Sequence, residues 1–571
     1  MIRSKGENIP KIKDKEVNYL HYRLDIIQGF KEAICFLEQE KKTLLDENGP
    51  LTCFKGKKVR CLLKGTQRYA SILGFSNHPN YTQEMFYREK LFENIWAYPH
   101  SDKRIVMSEI RDLLVGDIPI FYSCVDSTNL EDSCGQVIKN FYSHPGIQRA
   151  KNRIASLNKD EIERQIDYLL VTLDCFEDVS LINRKVVFPL LKKEVKVNGI
   201  ALAKEIADDL MKKAVWNEAH NEVSFATLDF LAKSEQLGIR PTNEGLYDSL
   251  SGLAFFFYEL FVQTKEEKYI DFYKILIQSA INISKNQQKF VSAYQGRLAP
   301  FFPILSESKN TGKSESISYI DDTVQEIIAE KFFEVDSNDW INGKVSILTL
   351  LVETYKMTHS EKLRKILNEQ GNLFIEKWRK QDVNDLKIEF AHGISGIVRG
   401  LASLYELMPS QTLSILIENL LIYEFDHLSS QEDYRLCWGL PGLILARLTV
   451  IKMLPNEKIQ QQTEKLVHQL MERISQFFVN DDCLCHGNAG MIELFNYLIS
   501  DWSQDLKKIK EYRNQYLSTM IMNRWLNGNF HILRLRKIET VGLFTGVAGV
   551  GLACLHFNNE KDSSNILTLT V

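Results

Sequence analysis

Cys437 and the adjacent pair Cys485 and His486 offer two sulfurs and one imidazole, 48 residues apart in a chain of 571. Two thiolates and an imidazole make a soft donor set that zinc prefers, and three protein ligands leave a fourth position for water or substrate. Such a site suits a further thiol: the metal lowers its pKa while the electron-rich ligands keep the sulfur nucleophilic. Activation of a substrate cysteine is the chemistry expected. His392 could then give or take a proton near neutral pH, and Asp248 could orient it or hold its charge. Each residue also has a plainer reading. A lone cysteine is usually a small buried hydrophobe, His392 could cap a helix, and Asp248 precedes an apolar run where an N-cap belongs. Cys483 is left without a role.

Phase favours the chemical reading. From residue 249 a small-x-x-small step recurs as Ser249/Gly252, Gly296/Ala299, Gly343/Ser346, Gly393/Gly396, Gly439/Gly442, Gly487/Gly490 and Gly546/Gly549. The second members are 47, 47, 50, 46, 48 and 59 residues apart. Asp248, His392 and His486 each stand four residues before a second member, and Cys437 and Cys485 each stand five before one. In a closed ring of repeats, equal phase means equal height at one mouth.

The elements that must position these residues follow from the same repeat. Apolar stretches after the steps, such as Leu253 to Leu260, Ile397 to Tyr405 and Leu443 to Leu448, read as buried inner helices. Longer amphipathic segments between them, Leu363 to Trp378 and Glu457 to Phe478, read as outer helices. A period near 47 holds two helices and two turns, so seven repeats predict a mainly α fold, a toroid of seven helical hairpins. The small residues let the chain turn sharply and helix ends approach closely.

Composition narrows the class. The length predicts two to four domains. With 70 basic against 74 acidic residues the net charge is −4, which argues against nucleic acid as the partner. The N-terminus Met1 to Asn8 lacks the apolar core of a secretory signal, no stretch reaches the 18 or so apolar residues of a membrane span, and a cytoplasmic protein is predicted. Ten scattered cysteines read as reduced thiols.

Leu246-Tyr-Asp-Ser-Leu-Ser-Gly, Ala391-His-Gly-Ile-Ser-Gly, Cys437-Trp-Gly-Leu-Pro-Gly, Cys485-His-Gly-Asn-Ala-Gly and Phe544-Thr-Gly-Val-Ala-Gly resemble, in order, the motifs of LanC-like lanthionine cyclases. The resemblance covers about residue 205 to the end. It implies an α/α toroid with zinc on Cys437, Cys485 and His486 and with His392 and Asp248 as acid/base residues. It also implies the reaction, addition of a precursor-peptide cysteine to dehydroalanine or dehydrobutyrine to close a thioether ring. The chain departs from the family at Leu436, where Trp is usual, at Ser249, where glycine is usual, and in a degenerate third repeat, Asn342 to Ser346. These departures are expected to alter pocket shape more than chemistry.

Residues 1–200 resemble the last part of the dehydratase domain of class II lanthipeptide synthetases (LanM type), through Val59 to Tyr69, Glu109 to Phe121, and Arg153 to Leu157 ahead of Gln165. By that likeness Arg60 and Thr66 fall on residues the family uses to eliminate phosphate from phosphorylated Ser and Thr. An Arg can pair with a leaving phosphate, and a hydroxyl six residues on could assist. No Gly-rich phosphate loop followed by Lys occurs in residues 1–200. ATP and Mg2+ are therefore expected only if another chain supplies the phosphorylating half.

The expected organisation is a partial α+β, kinase-like dehydratase segment over 1–200 and a zinc-dependent cyclase over 201–571, with a linker near Lys192 to Asn198. The partners implied are a ribosomal precursor peptide with a leader and a Ser/Thr/Cys-containing core, a separate kinase-half chain and a peptide exporter. Two rivals stand beside this reading. Zinc-bearing toroids that prenylate cysteine use six hairpins and an Asp-Cys-His set, against seven repeats and two cysteines here. A non-catalytic peptide-binding module would not need Cys437, Cys485, His486 and His392 intact.

Overall fold

The computed structural model describes residues 11–13, 15–17, 19–98, 100, 102–174, 189–191, 197–230, 237–286, 292–312, 316–329, 337–383, 386–428, 433, 435–474, 478–502, 504–535, 537–557 and 564–571. The chain divides into two compact units, Met1–Leu173 and Asp174–Val571. Most of the stretch expected as a linker, 192–198, lies outside the described residues.

The second unit is built on inner helices Leu250–Thr264, Phe301–Thr311, Lys344–Thr358, Ile394–Leu407, Leu440–Met453, Asn488–Asp501 and Val547–His556. Each packs on the next, and the last packs on the first, so the ring closes. Six outer helices, Glu267–Ser284, Ile317–Ala329, Glu361–Lys380, Gln411–Asp426, Glu457–Arg473 and Leu506–Asn527, follow their inner partners in sequence. The seventh outer position is taken from the other end of the unit: Gly199–Lys213 packs against Val547–His556. This joins the start of the toroid to its finish, so closure does not rest on inner helices alone. The first inner helix is buried on every side from Leu250 to Leu260, as its unbroken apolar run requires.

The last residues enter the same core. Ile566, Leu567 and Leu569 are buried, the Arg399 guanidinium donates to Thr570 Oγ1 at 3.0 Å, and Val571 N–H donates to Glu353 Oε2 at 3.1 Å. Glu353 and Arg399 belong to the third and fourth inner helices, so the segment 564–571 lies among inner-helix side chains.

The first unit is α+β. An antiparallel meander runs Lys58–Cys61, Phe121–Cys124, Leu130–Asp132, Val137–Ile138, with Arg60 opposite Tyr122. Helices Arg23–Gln39, Thr66–Ser76, Val106–Leu114, Gly146–Ser156 and Lys159–Asp174 accompany it. Its buried apolar residues form small separate clusters, around Tyr69 and Phe92, Ile34 and Leu157, and Phe121 and Leu130. No described helix is long and apolar enough to cross a membrane.

Candidate metal centre and active site

The residues in phase lie on loops that lead into the inner helices, and the loops share one construction. Six are closed by an N–H that reaches back seven residues: Leu250 to the carbonyl of Asn243, Lys344 to Ser337, Ile394 to Lys387, Leu440 to Asp433, Asn488 to Asp481 and Val547 to Thr540. Several open with a side chain that takes the N–H two residues on, as Asn243 does for Gly245 (2.9 Å), Asp433 for Arg435 (3.0 Å) and Asp481 for Cys483 (2.7 Å).

This geometry gives the glycines a specific reason. A Cβ on Gly439 would sit 2.0 Å from the Asp433 carbonyl oxygen, and one on Gly442 2.2 Å from that of Leu436. The same clash, six residues back, would occur at Gly393, Gly396, Gly490 and Gly549. Gly439 itself has φ −119°, open to any residue, so close approach and not backbone conformation demands glycine there. Only in the second repeat does the step need a left-handed residue, Gly296 at φ 79°.

Neighbouring loops are stitched through backbone bonds. Trp340 N–H donates to the carbonyl of Ala391 (3.2 Å), Ala391 to Cys437 (2.9 Å), Cys437 to Cys485 (3.2 Å), Cys485 to Phe544 (2.8 Å), Phe544 to Tyr247 (2.9 Å), and Leu246 to Tyr294 (2.8 Å). Between the second and third repeats a side chain substitutes, Ala293 N–H donating to Ser346 Oγ at 3.3 Å. The belt runs through the backbone of Cys437 and Cys485, so ring closure itself fixes their relative positions.

Ligand atoms of Cys437, Cys485 and His486 all lie within 4.8 Å of one another, with both cysteines buried. A tetrahedral zinc with bonds of about 2.0–2.3 Å needs ligand atoms roughly 3.5–3.8 Å apart, so this donor set fits one ion with a position left for a fourth ligand. Tyr247, stacked on Phe544 at 4.5 Å, donates its hydroxyl to Cys485 Sγ at 2.8 Å. A hydrogen bond with Cys437, and then burial, raise the Cys485 pKa. Hydrogen bonds to Asp481 and Cys485 raise that of His486 to about 10, so a cation binding here displaces protons.

His392 and Asp248, the two residues expected to do acid/base work, are not partners of each other. His392 Nδ1 meets Asp339 Oδ2 at 2.9 Å, an aspartate of the degenerate third repeat. Asp248 instead accepts from Thr545 N–H at 2.8 Å and from its hydroxyl at 2.6 Å. Of the two expectations for Asp248, to orient His392 or to hold its charge, direct pairing with His392 is not what the structure places: Thr545 binds both carboxylate oxygens of Asp248, and the carboxylate against His392 is that of Asp339. Burial pushes the Asp248 pKa up, and the Thr545 bonds offset this in part. Asp248 does not cap the helix either, since Ser249 stands at the cap.

A cavity of about 570 Å3 opens beside these groups, lined by Tyr247, Asp248, Asp481, His486 and Thr545. A hairpin, Ala226–Phe230 paired with Leu237–Pro241, contributes Asp229 and Arg240 to its wall. Asp339, Asp481, Tyr247 and Thr545 escaped the sequence reading. Asp339 stands seven residues before Ser346, whereas His392 stands four before Gly396, so the phase of the repeat did not point to it.

In the first unit Arg60 is exposed on its strand, and Thr66 is exposed at the first position of its helix. The motif pieces around them meet in a buried ionic cluster. The Lys64 ammonium donates to both oxygens of Glu109 (2.8 and 2.7 Å), Tyr69 donates its hydroxyl to Glu109 at 2.6 Å, and His100 Nε2 lies 3.1 Å from the same carboxylate. Burial lowers the Lys64 pKa despite Glu109.

Residues 240–569 match the family described as lanthionine synthetase C-like protein, and residues 1–124 match a domain of unknown function (DUF4135). The lacticin 481/lactococcin biosynthesis protein LcnDR2 of Lactococcus lactis subsp. lactis is 21% identical over 579 residues, covering 96% of this chain. The chain spans 60% of that relative's length. Among solved structures a nisin cyclase aligns with TM-score 0.47 and 17% identity, over 66% of this chain and 98% of that one. With more than half its length matched to the family, and the family's motifs gathered at one mouth of a closed helical ring, the chain belongs to the lanthionine synthetase C-like family.

Proposed function

We propose that this chain closes thioether rings in lanthipeptide biosynthesis, as the cyclase part of a class II synthetase. The observation that carries the reading is the convergence of Cys437, Cys485 and His486 within 4.8 Å on the belt of loops whose bonds through Ala391 and Tyr247 also hold the neighbours of His392 and Asp248. Zinc held by those three residues would supply Lewis acidity that lowers the pKa of a precursor-peptide cysteine. The substrate sulfur adds to the β-carbon of dehydroalanine or dehydrobutyrine, and a proton goes to the α-carbon, so no atom is lost. His392, its Nδ1 held by Asp339, presents Nε2 for that proton. Asp248, fixed by Thr545, helps set the charge at the cavity wall.

Arg60 and Thr66 are assigned, within this proposal, to phosphate elimination from precursor Ser and Thr. The exposed Arg60 guanidinium is available for an anionic leaving group. The setting proposed is the cytoplasm, with a leader-bearing precursor peptide as substrate and an exporter acting on the product.

The test uses a synthetic peptide that already carries a dehydroamino acid and a free cysteine. Cyclisation leaves mass unchanged, so the readout is loss of alkylatable thiol. The proposal expects consumption well above background by the zinc-loaded chain, and background rates after chelation with recovery on zinc addition. A zinc-loaded chain that never exceeds background would replace this reading with a peptide-binding module.

A further inference from the structure

Cys483 stands outside the phase of the other reactive residues, yet the fold gives it polar company. Its sulfur, a carboxylate oxygen of Asp481 and a ring nitrogen of His486 all lie within 4.8 Å of one another. This is a second donor set, sharing His486 with Cys437 and Cys485. The mouth loop builds it. Asp481 Oδ1 accepts Cys483 N–H at 2.7 Å, and the Asp481 carbonyl accepts Asn488 N–H at 2.9 Å, which folds both side chains back toward the imidazole. Asp481 Oδ2 reaches His486 Nε2 at 3.5 Å.

The two sets differ in access and in softness. Asp481 and His486 line the cavity of about 570 Å3, whereas Cys437, Cys485 and Cys483 are all buried and do not line it, so the difference in access lies in the Asp481 carboxylate alone. A cation arriving from the cavity therefore meets Asp481 and His486 first. One thiolate with a carboxylate holds zinc less firmly than two thiolates do, so the outer set captures without trapping. A neutral imidazole has one lone pair for a metal, so the sets are alternatives for a single ion.

We propose that Asp481, Cys483 and His486 form a loading position for a zinc-type divalent cation, from which the ion passes to Cys437, Cys485 and His486. The proposal rests on the zinc reading of that inner set. Capture releases the Cys483 thiol proton and a ring proton of His486 to solvent, and His486 stays a neutral ligand through the transfer. On transfer Cys483 regains a proton and the Cys437 and Cys485 thiols lose one each.

The test uses the full chain stripped of metal. In Cys483→Ala, equilibrium zinc content and affinity should match the parent, while zinc uptake from a chromogenic chelator should slow by about tenfold or more as the outer set loses its sulfur. With Co2+ as probe, Cys437→Ala/Cys485→Ala should keep a thiolate charge-transfer band of about half the parent's intensity, since one sulfur remains. Adding Cys483→Ala should abolish it. Parental uptake in Cys483→Ala overturns the proposal, as does a folded double variant without a thiolate band. A parent that binds neither ion refutes the inner zinc site itself, which separates the two failures.

Discussion

The toroid and the first unit handle their reactive residues in opposite ways. In the toroid, buried cysteines are held by a belt of backbone bonds above one continuous apolar core. In the first unit, Arg60 and Thr66 stand exposed on a strand and at a helix start, above small separate clusters, while Leu24, Leu62 and Phe75 are 75%, 69% and 68% exposed. Where a repeat fixes position, chemistry can be preorganised before any ligand arrives. Where the local core is thin, as around Arg60 and Thr66, the side chains stay solvated.

Substitutions at the mouth should break this contrast most strongly. His392→Ala should lower the cyclisation rate by about 10^2- to 10^4-fold with zinc content unchanged, and Asp339→Asn should do so by about 10- to 100-fold, because the imidazole loses its orienting partner. Equal zinc binding with an unchanged rate in Asp339→Asn would remove the dyad from the mechanism.

Below the mouth, polar groups inside the barrel serve stability. His556 Nδ1 lies 3.1 Å from Glu493, and Glu259 approaches its other side at 3.9 Å. Burial would lower the His556 pKa, but Glu493 and Glu259 outweigh it and raise the value to about 10. Because the folded pKa lies above the ordinary histidine value, the stabilisation is complete below about pH 6.5 and is lost as pH rises through about 10. Glu493→Gln should therefore cost about 3–5 kcal/mol near pH 6 and much less at pH 10. Denaturant melts at both pH values measure this; a cost that does not shrink with pH would contradict a charged His556.

Glycines sharpen the comparison. Gly442→Ala places a Cβ 2.2 Å from the Leu436 carbonyl and 2.6 Å from Phe390 Cβ, so it should destabilise by about 1–3 kcal/mol and weaken metal binding through the Cys437 loop. Gly29, in helix Arg23–Gln39 of the first unit, has nothing within 4 Å of a built Cβ, and Gly29→Ala should stabilise by about 0.4–1 kcal/mol. Paired melts decide it, and equal effects at the two sites would deny the close approach inferred for the mouth loops.

The same contrast explains what the sequence made legible. Seven repeats, their inner helices and the common height of Cys437, Cys485, His486 and His392 all follow from spacing, because a repeat turns sequence phase into spatial position. Two things broke phase and were missed. The seventh outer helix, Gly199–Lys213, precedes the first repeat, since a ring can be closed from either end of the chain. Asp339 lies in the degenerate third repeat, seven residues before Ser346 and so three outside the phase of His392, and spacing did not point to it. The pairings Asp248 with Thr545 and Asp339 with His392 depend on side-chain directions at seams between repeats, which phase alone does not carry. In the first unit, with no repeat to index it, Arg60 and Thr66 were reached only by family resemblance.

The most direct measurement counts zinc and thiol consumption together, on the purified parent and on Cys485→Ala, with the pre-dehydrated peptide. The account predicts about one zinc and rapid thiol loss for the parent, with near-zero zinc and background thiol loss for the variant, because removing a thiolate leaves too few ligands. A parent without zinc, or a variant that keeps both zinc and activity, would contradict it.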